Sequence, residues 1–301
     1  MIVTVSIIYL YVIKFSDYYE ENSFLKNRLN FEITLFVVSI LLLRARGNLL
    51  TMILGWDFLG LTSFLLIMFY NSKKRVYSSF LTLVFNRLGD IFLMICIVFL
   101  IGSINDFSRT YLFPVTLGFR LILVLAACTK RAQVPFNSWL SAAIAAPTPV
   151  RALVHRRTLV TAGVFLLIQT CQGNLLSPRA GHFLRFLAIT TLVYRAIMSS
   201  VRFDIKEIVA FSTIKHLRLM ILSLSLNQYI IAFVHLIFHA FIKSNLFILR
   251  GVMIKENFGV QDLRVIGGLP LSRFENVSLI SGILSLISVP CLRAYISKHI
   301  I

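Results

Sequence analysis

Long apolar runs separated by short polar connectors make up most of this chain of 301 residues. Several runs approach the roughly 20 residues that a helix needs to cross the hydrocarbon core of a bilayer. They lack the regular alternation of apolar and polar positions that a transmembrane β-barrel requires. The pattern predicts about ten transmembrane helices, at about 1–15, 31–47, 48–70, 78–102, 114–131, 148–170, 182–201, 206–226, 229–254 and 274–296.

The composition agrees with an all-α integral membrane protein. Hydrophobic residues make up 58% of the chain, charged residues only 14%, and the mean hydropathy is +0.85, unlike an ordinary globular domain. No soluble domain or low-complexity linker interrupts the runs, so residues 1–301 are predicted to form one transmembrane domain. Four single cysteines inside apolar runs indicate core residues rather than a disulfide framework or a metal site: Cys96, Cys128, Cys171 and Cys291.

The net charge of +18 is not explained by nucleic-acid binding or by basic loops. The basic residues are not gathered in one tail or on one face. Several stand alone inside apolar segments, as Arg120, Arg195, Arg218 and Arg250 do. The sequence therefore predicts the lipid bilayer, not nucleic acid, as a partner, and the isolated arginines require another explanation.

A proline-containing stretch after residue 129 breaks the pattern of simple spans. Pro135, Pro147 and Pro149 each remove a helical hydrogen bond, so a helix is expected to stop and restart here. Irregular backbone at membrane depth is tolerated where it is buried in protein or lines a watery cavity, and ion-handling proteins use such breaks. Lys130 lies beside the break. From spacing alone, Lys130 is either an ion-handling residue or a cation that caps a helix end.

His235, His239 and Lys243 recur at i, i+4 and i+8 and so share one face of a predicted helix. Two histidines four residues apart suit zinc, but the positions between them are apolar and lack the glutamate of the zinc-protease pattern. Buried core histidines are the other alternative. Because ionisable groups inside a span are costly and mark proton pathways, we favour a proton relay.

Asp57 is the lone carboxylate of the apolar span from Asn48 to Tyr70. A carboxylate inside a bilayer must be paired, protonated or near water. A structural ion pair with a neighbouring helix and a switchable pair that moves a proton both fit this position. Lys130 is a suitable partner in either case.

Six motifs carry a resemblance that spans nearly the whole chain. They are GWDFLGLTSFLL at 55–66, FNRLGD at 85–90, TKRAQVPFNSWL at 129–140, AAPTPVRALVHRRTLVTAGV at 145–164, FDIKEIVAFST at 203–213 and HLIFHAFIK at 235–243. In this order they resemble the family of NADH dehydrogenase subunit 5 of mitochondrial complex I, in an invertebrate-like form. Other antiporter-like subunits of complex I and multisubunit cation/proton antiporters share parts of these motifs, whereas AAPTPV and LVTAGV favour subunit 5.

The resemblance implies a multi-pass subunit with discontinuous helices that carries protons across the inner mitochondrial membrane. Quinone reduction elsewhere in the complex would drive this transport, and the partners would be other membrane-arm subunits. The resemblance also implies that this chain is part of a translocating enzyme but holds no redox centre or metal itself. NADH, FMN, iron–sulfur clusters and ubiquinone would be bound by other subunits.

The same resemblance assigns roles to individual residues. Asp57 stands at the acidic channel position, and Lys130 stands at the lysine beside the broken helix. His155 is similar to a bridging histidine, and the central relay of the family matches His235, His239 and Lys243. Lys298, in YISKH, takes the place of the lysine in the exit half-channel.

The chain also departs from the family pattern. Asp57 replaces a more widespread glutamate, Asn137 and Ser138 replace His-Pro, and His299 replaces the acid that follows the exit lysine. The chain begins after the family's first two helices and stops at the exit motif, so it is expected to be partial. A stand-alone cation/proton antiporter and an inert structural fragment remain as alternatives.

The resemblance and the charges suggest a mechanism. Asp57 would hold Lys130 protonated, and His155 would link Lys130 through water to the histidine stripe and then to Lys298. Two unit charges about 7 Å apart at an effective dielectric near 20 interact by roughly 2 kcal/mol. Opening or closing the ion pair would therefore load or unload the lysine.

Six arginines stand where the resembling family has serines: Arg131, Arg151, Arg156, Arg157, Arg250 and Arg293. Invertebrate mitochondria read AGA and AGG as serine, whereas the standard code reads them as arginine. Ile144, where relatives often have Met, fits a parallel misreading of AUA. An arginine at a helix centre costs roughly 2.5 to 3.5 kcal/mol even on the lenient insertion scale. We therefore predict serine at these six positions in the mature protein, and a genuine arginine at Arg87.

Overall fold

The fold consists of helices throughout the part of the chain that the computed structural model describes. Described are residues 2–21, 24–44, 49–104, 117–142, 149–150, 159–172, 178–257, 259–265, 272–287, 289–290 and 295. Within these ranges the helices are α1 (Ile2–Tyr19), α2 (Lys26–Arg44), α3 (Leu49–Met68), α4 (Lys73–Ile104), α5 (Leu117–Lys130), α6 (Ser138–Ala142), α7 (Leu159–Gln172), α8 (Pro178–Ser200), α9 (Ile205–Ser225), α10 (Tyr229–Glu256) and α11 (Arg273–Ile287).

The helix lengths confirm the prediction of an all-α membrane protein. Among the described residues, five helices are long and apolar enough to cross a bilayer: α1, α4, α8, α9 and α10. Two shorter apolar helices, Met52–Met68 and Ala162–Cys171, add to them. The predicted spans 78–102, 182–201, 206–226 and 229–254 coincide with α4, α8, α9 and α10 to within a few residues. The one bridge between extended residues joins Asp204 and Asp262, in loops outside the helices described here.

The predicted break after Lys130 is confirmed, because α5 ends at Lys130 and the short α6 begins at Ser138. Ala132 has a left-handed backbone with φ of 52°. The N–H of Gln133 then turns back to donate to the carbonyl of Cys128 at 3.2 Å. This arrangement satisfies a free carbonyl at the helix end and places Lys130 on the last turn.

Side chains from other helices hold the irregular segment between α5 and α6. The indole Nε1 of Trp139 donates to the carbonyl of Thr129 at 2.9 Å. From α8, the hydroxyl of Thr191 donates to Oε1 of Gln133 at 2.5 Å, and Arg195 donates to the carbonyl of Asn137 at 2.7 Å. These bonds keep buried polar groups paired where the helical ladder is interrupted.

Gly55 lets α2 and α3 approach closely. A Cβ atom at Gly55 would lie 2.5 Å from the backbone nitrogen of Leu43 and 2.6 Å from its Cα atom. Backbone atoms of a packed helix cannot move aside as the end of a flexible side chain does. Any side chain at position 55 therefore forces the two helices apart.

We expect Gly55→Ala to destabilise the protein by about 1 to 3 kcal/mol, the usual cost of overpacking. Gly118 on α5 provides the matched control, since nothing lies within 4 Å of a Cβ atom at that position. Gly118→Ala should be neutral or stabilising by up to about 1 kcal/mol, because alanine favours helix. Thermal unfolding in detergent compares the two variants, and equal melting temperatures would contradict the close approach.

Candidate functional site

Three helices bring together five side chains that we call the lysine cluster. They are Trp56 and Asp57 of α3, Arg87 and Asp90 of α4, and Lys130 of α5. The side chain of Lys130 is only 1% exposed, and its Nζ lies 3.6 Å from Oδ1 of Asp90. The same ammonium lies 5.1 Å from the centroid of the Trp56 ring, within range of a cation–π interaction.

Arg87 joins the two carboxylates of the lysine cluster. Its Nη1 lies 3.4 Å from Oδ2 of Asp90 and 3.9 Å from Oδ2 of Asp57. The Asp57 side chain is 39% exposed, whereas that of Asp90 is 11% exposed. The charges therefore run from the accessible Asp57, through Arg87 and Asp90, to the buried Lys130.

The ion pair of Lys130 differs from the one expected from sequence. Its partner within 4 Å in the described residues is Asp90, while Asp57 pairs with Arg87. Asp57 still belongs to the same network, because Arg87 and Asp90 link it to Lys130. Sequence reasoning missed Asp90, although it ends the FNRLGD motif and follows Arg87 at i+3 inside an apolar helix. An acid three residues after a base inside a membrane span indicates a functional ion pair, and this signal could have identified Asp90.

A second group, the histidine cluster, lies between α9 and α10. Its members are Ser212 and His216 of α9, and His235, His239 and Lys243 of α10. The predicted stripe on α10 is confirmed, since His235, His239 and Lys243 are all buried. Lys243 Nζ donates a hydrogen bond to Oγ of Ser212.

His216 is the member of the histidine cluster that sequence reasoning missed. It is a single histidine in an apolar helix, four residues after Ser212. Only its position opposite α10 shows that it belongs with the histidines of that helix. Its ring centroid lies 5.6 Å from that of His235 and 5.2 Å from that of His239. Within the described residues, no group of three His, Cys, Asp or Glu side chains has the geometry to hold a metal ion.

Other predicted residues fall outside the described part of the chain. These are the proposed bridging His155, the proposed exit Lys298, and the positions Ile144, Arg151, Arg156, Arg157, Cys291, Arg293 and His299. The roles given to them in the sequence analysis stay predictions.

Among the described residues, two arginines are buried without hydrogen-bond partners, whereas the partly exposed Arg87 is paired. Arg131 is 1% exposed and Arg218 is 0% exposed, and the Nε, Nη1 and Nη2 atoms of both lack hydrogen-bond partners. Arg87, in contrast, pairs with two carboxylates. A buried guanidinium that makes no hydrogen bond is strongly unfavourable. The environment of Arg131 thus agrees with the predicted serine there, and Arg218 shares that environment.

The comparisons with known proteins fit this geometry. A family model described as NADH:quinone oxidoreductase/Mrp antiporter, TM, matches residues 46–301. The chain belongs to this family. Both the lysine cluster and the histidine cluster lie inside the region shared with the NADH:quinone oxidoreductase/Mrp antiporter family.

Two relatives of this chain are both named NADH-ubiquinone oxidoreductase chain 5. The protein of Aedes aegypti is 38% identical over 301 residues, which cover 96% of this chain and 51% of the mosquito protein. That of Lumbricus terrestris is 37% identical over 303 residues, which cover 99% of this chain and 52% of the worm protein. This chain thus spans about half the length of these two relatives, and it resembles subunit 5 as the motifs predicted.

Two solved structures share the fold. A chain in the Mrp complex of a Dietzia species is 29% identical, with a TM-score of 0.78, over 89% of this chain and 31% of that one. A chain of the membrane-bound sulfane sulfur reductase, an archaeal respiratory membrane complex, has a TM-score of 0.85 over 98% of this chain and 63% of its own length. That chain is 15% identical, so it shows the fold alone.

Proposed function

We propose that this chain is a membrane core subunit of respiratory complex I in the inner mitochondrial membrane. In this role it translocates protons, coupled to electron transfer from NADH to ubiquinone. The observation that carries the proposal is the presence of two ionisable clusters, each built around a buried lysine, one beside a broken helix and one along a histidine stripe. Their presence in a relative of chain 5 proteins supports transport of protons rather than of a larger solute.

Other subunits are central to this proposal. Membrane-arm subunits would be the partners of this chain, and subunits elsewhere in the complex would bind NADH, FMN, the iron–sulfur clusters and ubiquinone. The chain would act as part of a proton-translocating NADH:ubiquinone reductase. It would contribute proton-carrying side chains and no redox centre.

The lysine cluster is the proposed loading site. Two unit charges about 4 Å apart interact by roughly 4 kcal/mol at an effective dielectric of 20. The pair of Lys130 and Asp90 lies near this separation, at 3.6 Å. A movement of α4 against α5 that lengthens the pair would therefore weaken the hold of Lys130 on its proton. Arg87 would then neutralise Asp90, and Asp57, whose side chain is partly exposed, would form the outer end of the network.

The histidine cluster is the proposed central relay. A proton released by Lys130 would pass through His155 and water to the buried His239, His235 and Lys243. Lys298 would hand the proton to the exit. Imidazole suits such a path because each ring carries one nitrogen that donates and one that accepts.

A stand-alone cation/proton antiporter is the second candidate. The 29% identity to a chain of the Mrp complex favours it. Reconstitution in vesicles without redox partners separates the two functions. Exchange of cations for protons driven by a pH gradient would favour the antiporter, whereas its absence together with activity in complex I would favour the proposal. A native gel of the membranes that fails to show this chain migrating with NADH dehydrogenase activity would contradict the proposal.

We expect Lys243→Ala to lower proton pumping and, through coupling, NADH oxidation by about tenfold or more, since a positioned acid–base group contributes roughly 100- to 10,000-fold. Assembly should stay intact, because alanine removes the buried ammonium together with its aliphatic chain and leaves no unpaired charge. Cys96→Ala is the control, as Cys96 is buried but belongs to neither cluster. Proton pumping in sealed membrane vesicles measures both variants. Equal damage from Cys96→Ala would indicate misfolding instead.

A further inference from the structure

Helices α9 and α10 run antiparallel, and backbone hydrogen bonds tie the start of α9 to the segment after α10. The N–H of Ile205 donates to the carbonyl of Gln261 at 3.1 Å, and the N–H of Leu263 donates to the carbonyl of Phe203 at 3.2 Å. Position along one helix therefore maps directly onto position along the other. A residue later in α9 faces a residue earlier in α10.

The polar side chains of α9 follow this register. Ser212 accepts the hydrogen bond of Lys243, and one turn later His216 faces His239, one turn earlier in α10. Residues at i and i+4 share one face of a helix. Ser212 and His216 thus form a second polar stripe, laid against the predicted stripe of α10.

The ring distances place His216 between the two histidines of α10. The centroids of His235 and His239 are 6.3 Å apart, whereas His216 lies 5.6 Å from the first and 5.2 Å from the second. The two shortest ring separations in the cluster therefore both involve His216. A path from His239 to His235 is made of shorter steps when it passes through α9.

We propose that His216 is a proton-carrying residue that connects His239 to His235. The inference rests on the proposed function, because it adds a member to the relay. In the step, a protonated His239 gives its proton to the unprotonated ring nitrogen of neutral His216, directly or through one water. His216 then releases the proton of its other nitrogen to His235. The excess charge moves from His239 to His235, and His216 ends neutral as the other tautomer.

The charges around the cluster favour one excess proton at a time. Lys243 lies on the same face of α10, and two protonated rings at these distances would repel each other strongly in a buried site. From α8, Arg185 and Arg195 approach α9 at other places, at the carbonyl of Ser225 and the ring of Phe211. A second proton in the cluster would therefore push the first one onward.

The test replaces the imidazole with an amide of similar reach. His216→Gln keeps donors and acceptors at the same place but has no titratable nitrogen, and His216→Asn is a second, smaller variant. His182→Gln is the matched control, because His182 lies on α8 and is exposed. Protons pumped per NADH oxidised are measured in sealed vesicles containing the whole complex, normalised to the intact complex on a native gel.

The expected result is a loss of proton pumping of about tenfold or more in both His216 variants, with intact complex and with normal pumping in His182→Gln. Normal pumping in either His216 variant would overturn the inference. Loss of intact complex in both variants would also overturn it, in favour of a packing role. If Lys243→Ala lowers pumping while His216→Gln does not, only this inference fails. If neither variant lowers pumping, the proposed function fails as well.

Discussion

Lys130→Ala is expected to remove most proton pumping while the chain still assembles into its complex, because Asp90 keeps Arg87 as its ion-pair partner. Lys130 is the buried cation at the end of the broken helix, and no other described ammonium lies against Asp90. A positioned acid–base group contributes roughly 100- to 10,000-fold to proton transfer, so a loss of about tenfold or more should follow. Pumping by sealed vesicles and NADH oxidation by the same membranes should fall together.

The carboxylates should contribute in the order of their distance from Lys130. Asp90→Asn is expected to impair pumping more than Asp57→Asn, because Asp90 lies at 3.6 Å from the ammonium and Asp57 contacts Arg87 instead. Asp57→Ala should still reduce pumping, since Asp57 is the outermost residue of the same network. Normal ratios of protons to electrons in Lys130→Ala and Asp57→Ala would contradict the role of this cluster.

A double variant separates transport from folding at the lysine cluster. Removing one partner of a buried ion pair typically costs about 3 to 5 kcal/mol, because the other charge stays uncompensated. Asp90→Asn alone is thus expected to lower the yield of intact complex. Asp90→Asn combined with Lys130→Gln should recover that yield but not the pumping. Recovery of pumping in the double variant would show that the charges serve only to hold the helices together.

Serine at positions 131 and 218 is expected to stabilise the protein relative to the arginines of the printed sequence. Both guanidinium groups are buried, and none of their nitrogens makes a hydrogen bond. The effective penalty for each unpaired buried ion is several kcal/mol, so the melting temperature in detergent should rise for Arg131→Ser and for Arg218→Ser. A serine hydroxyl would instead bond to its own helix backbone and allow tight helix packing.

Arg87→Ser is the control with the opposite sign. Arg87 pairs with Asp57 and Asp90, so its loss should destabilise the protein and impair pumping. The nucleotide sequence gives an independent answer. AGA or AGG codons at positions 131, 156, 157 and 218, with CGN at 87, would agree with serine in the mature protein. CGN codons at 156 and 157 would contradict it, as would peptide masses that contain arginine there.

The sequence by itself determined the membrane environment, the fold class and one face of the proposed relay. Apolar runs of membrane length must form helices, because every backbone N–H and C=O in lipid must form its hydrogen bond within its own segment. Proline marked the break after Lys130 for an equally local reason, since it lacks an N–H. The spacing of His235, His239 and Lys243 fixed their common face through the helical period alone.

Only the tertiary structure decided which helix each of these groups meets. Asp90 and Asp57 both stand in apolar helices, and nothing local in either helix tells which one reaches Lys130. That choice depends on how α4 rotates and shifts as it packs between α3 and α5, which close contacts such as that of Gly89 with Thr129 of α5 control. His216 likewise gains its neighbours from the antiparallel register of α9 and α10. Contacts between helices depend on rotation and axial shift, and these are set by packing of many side chains at once rather than by any one motif.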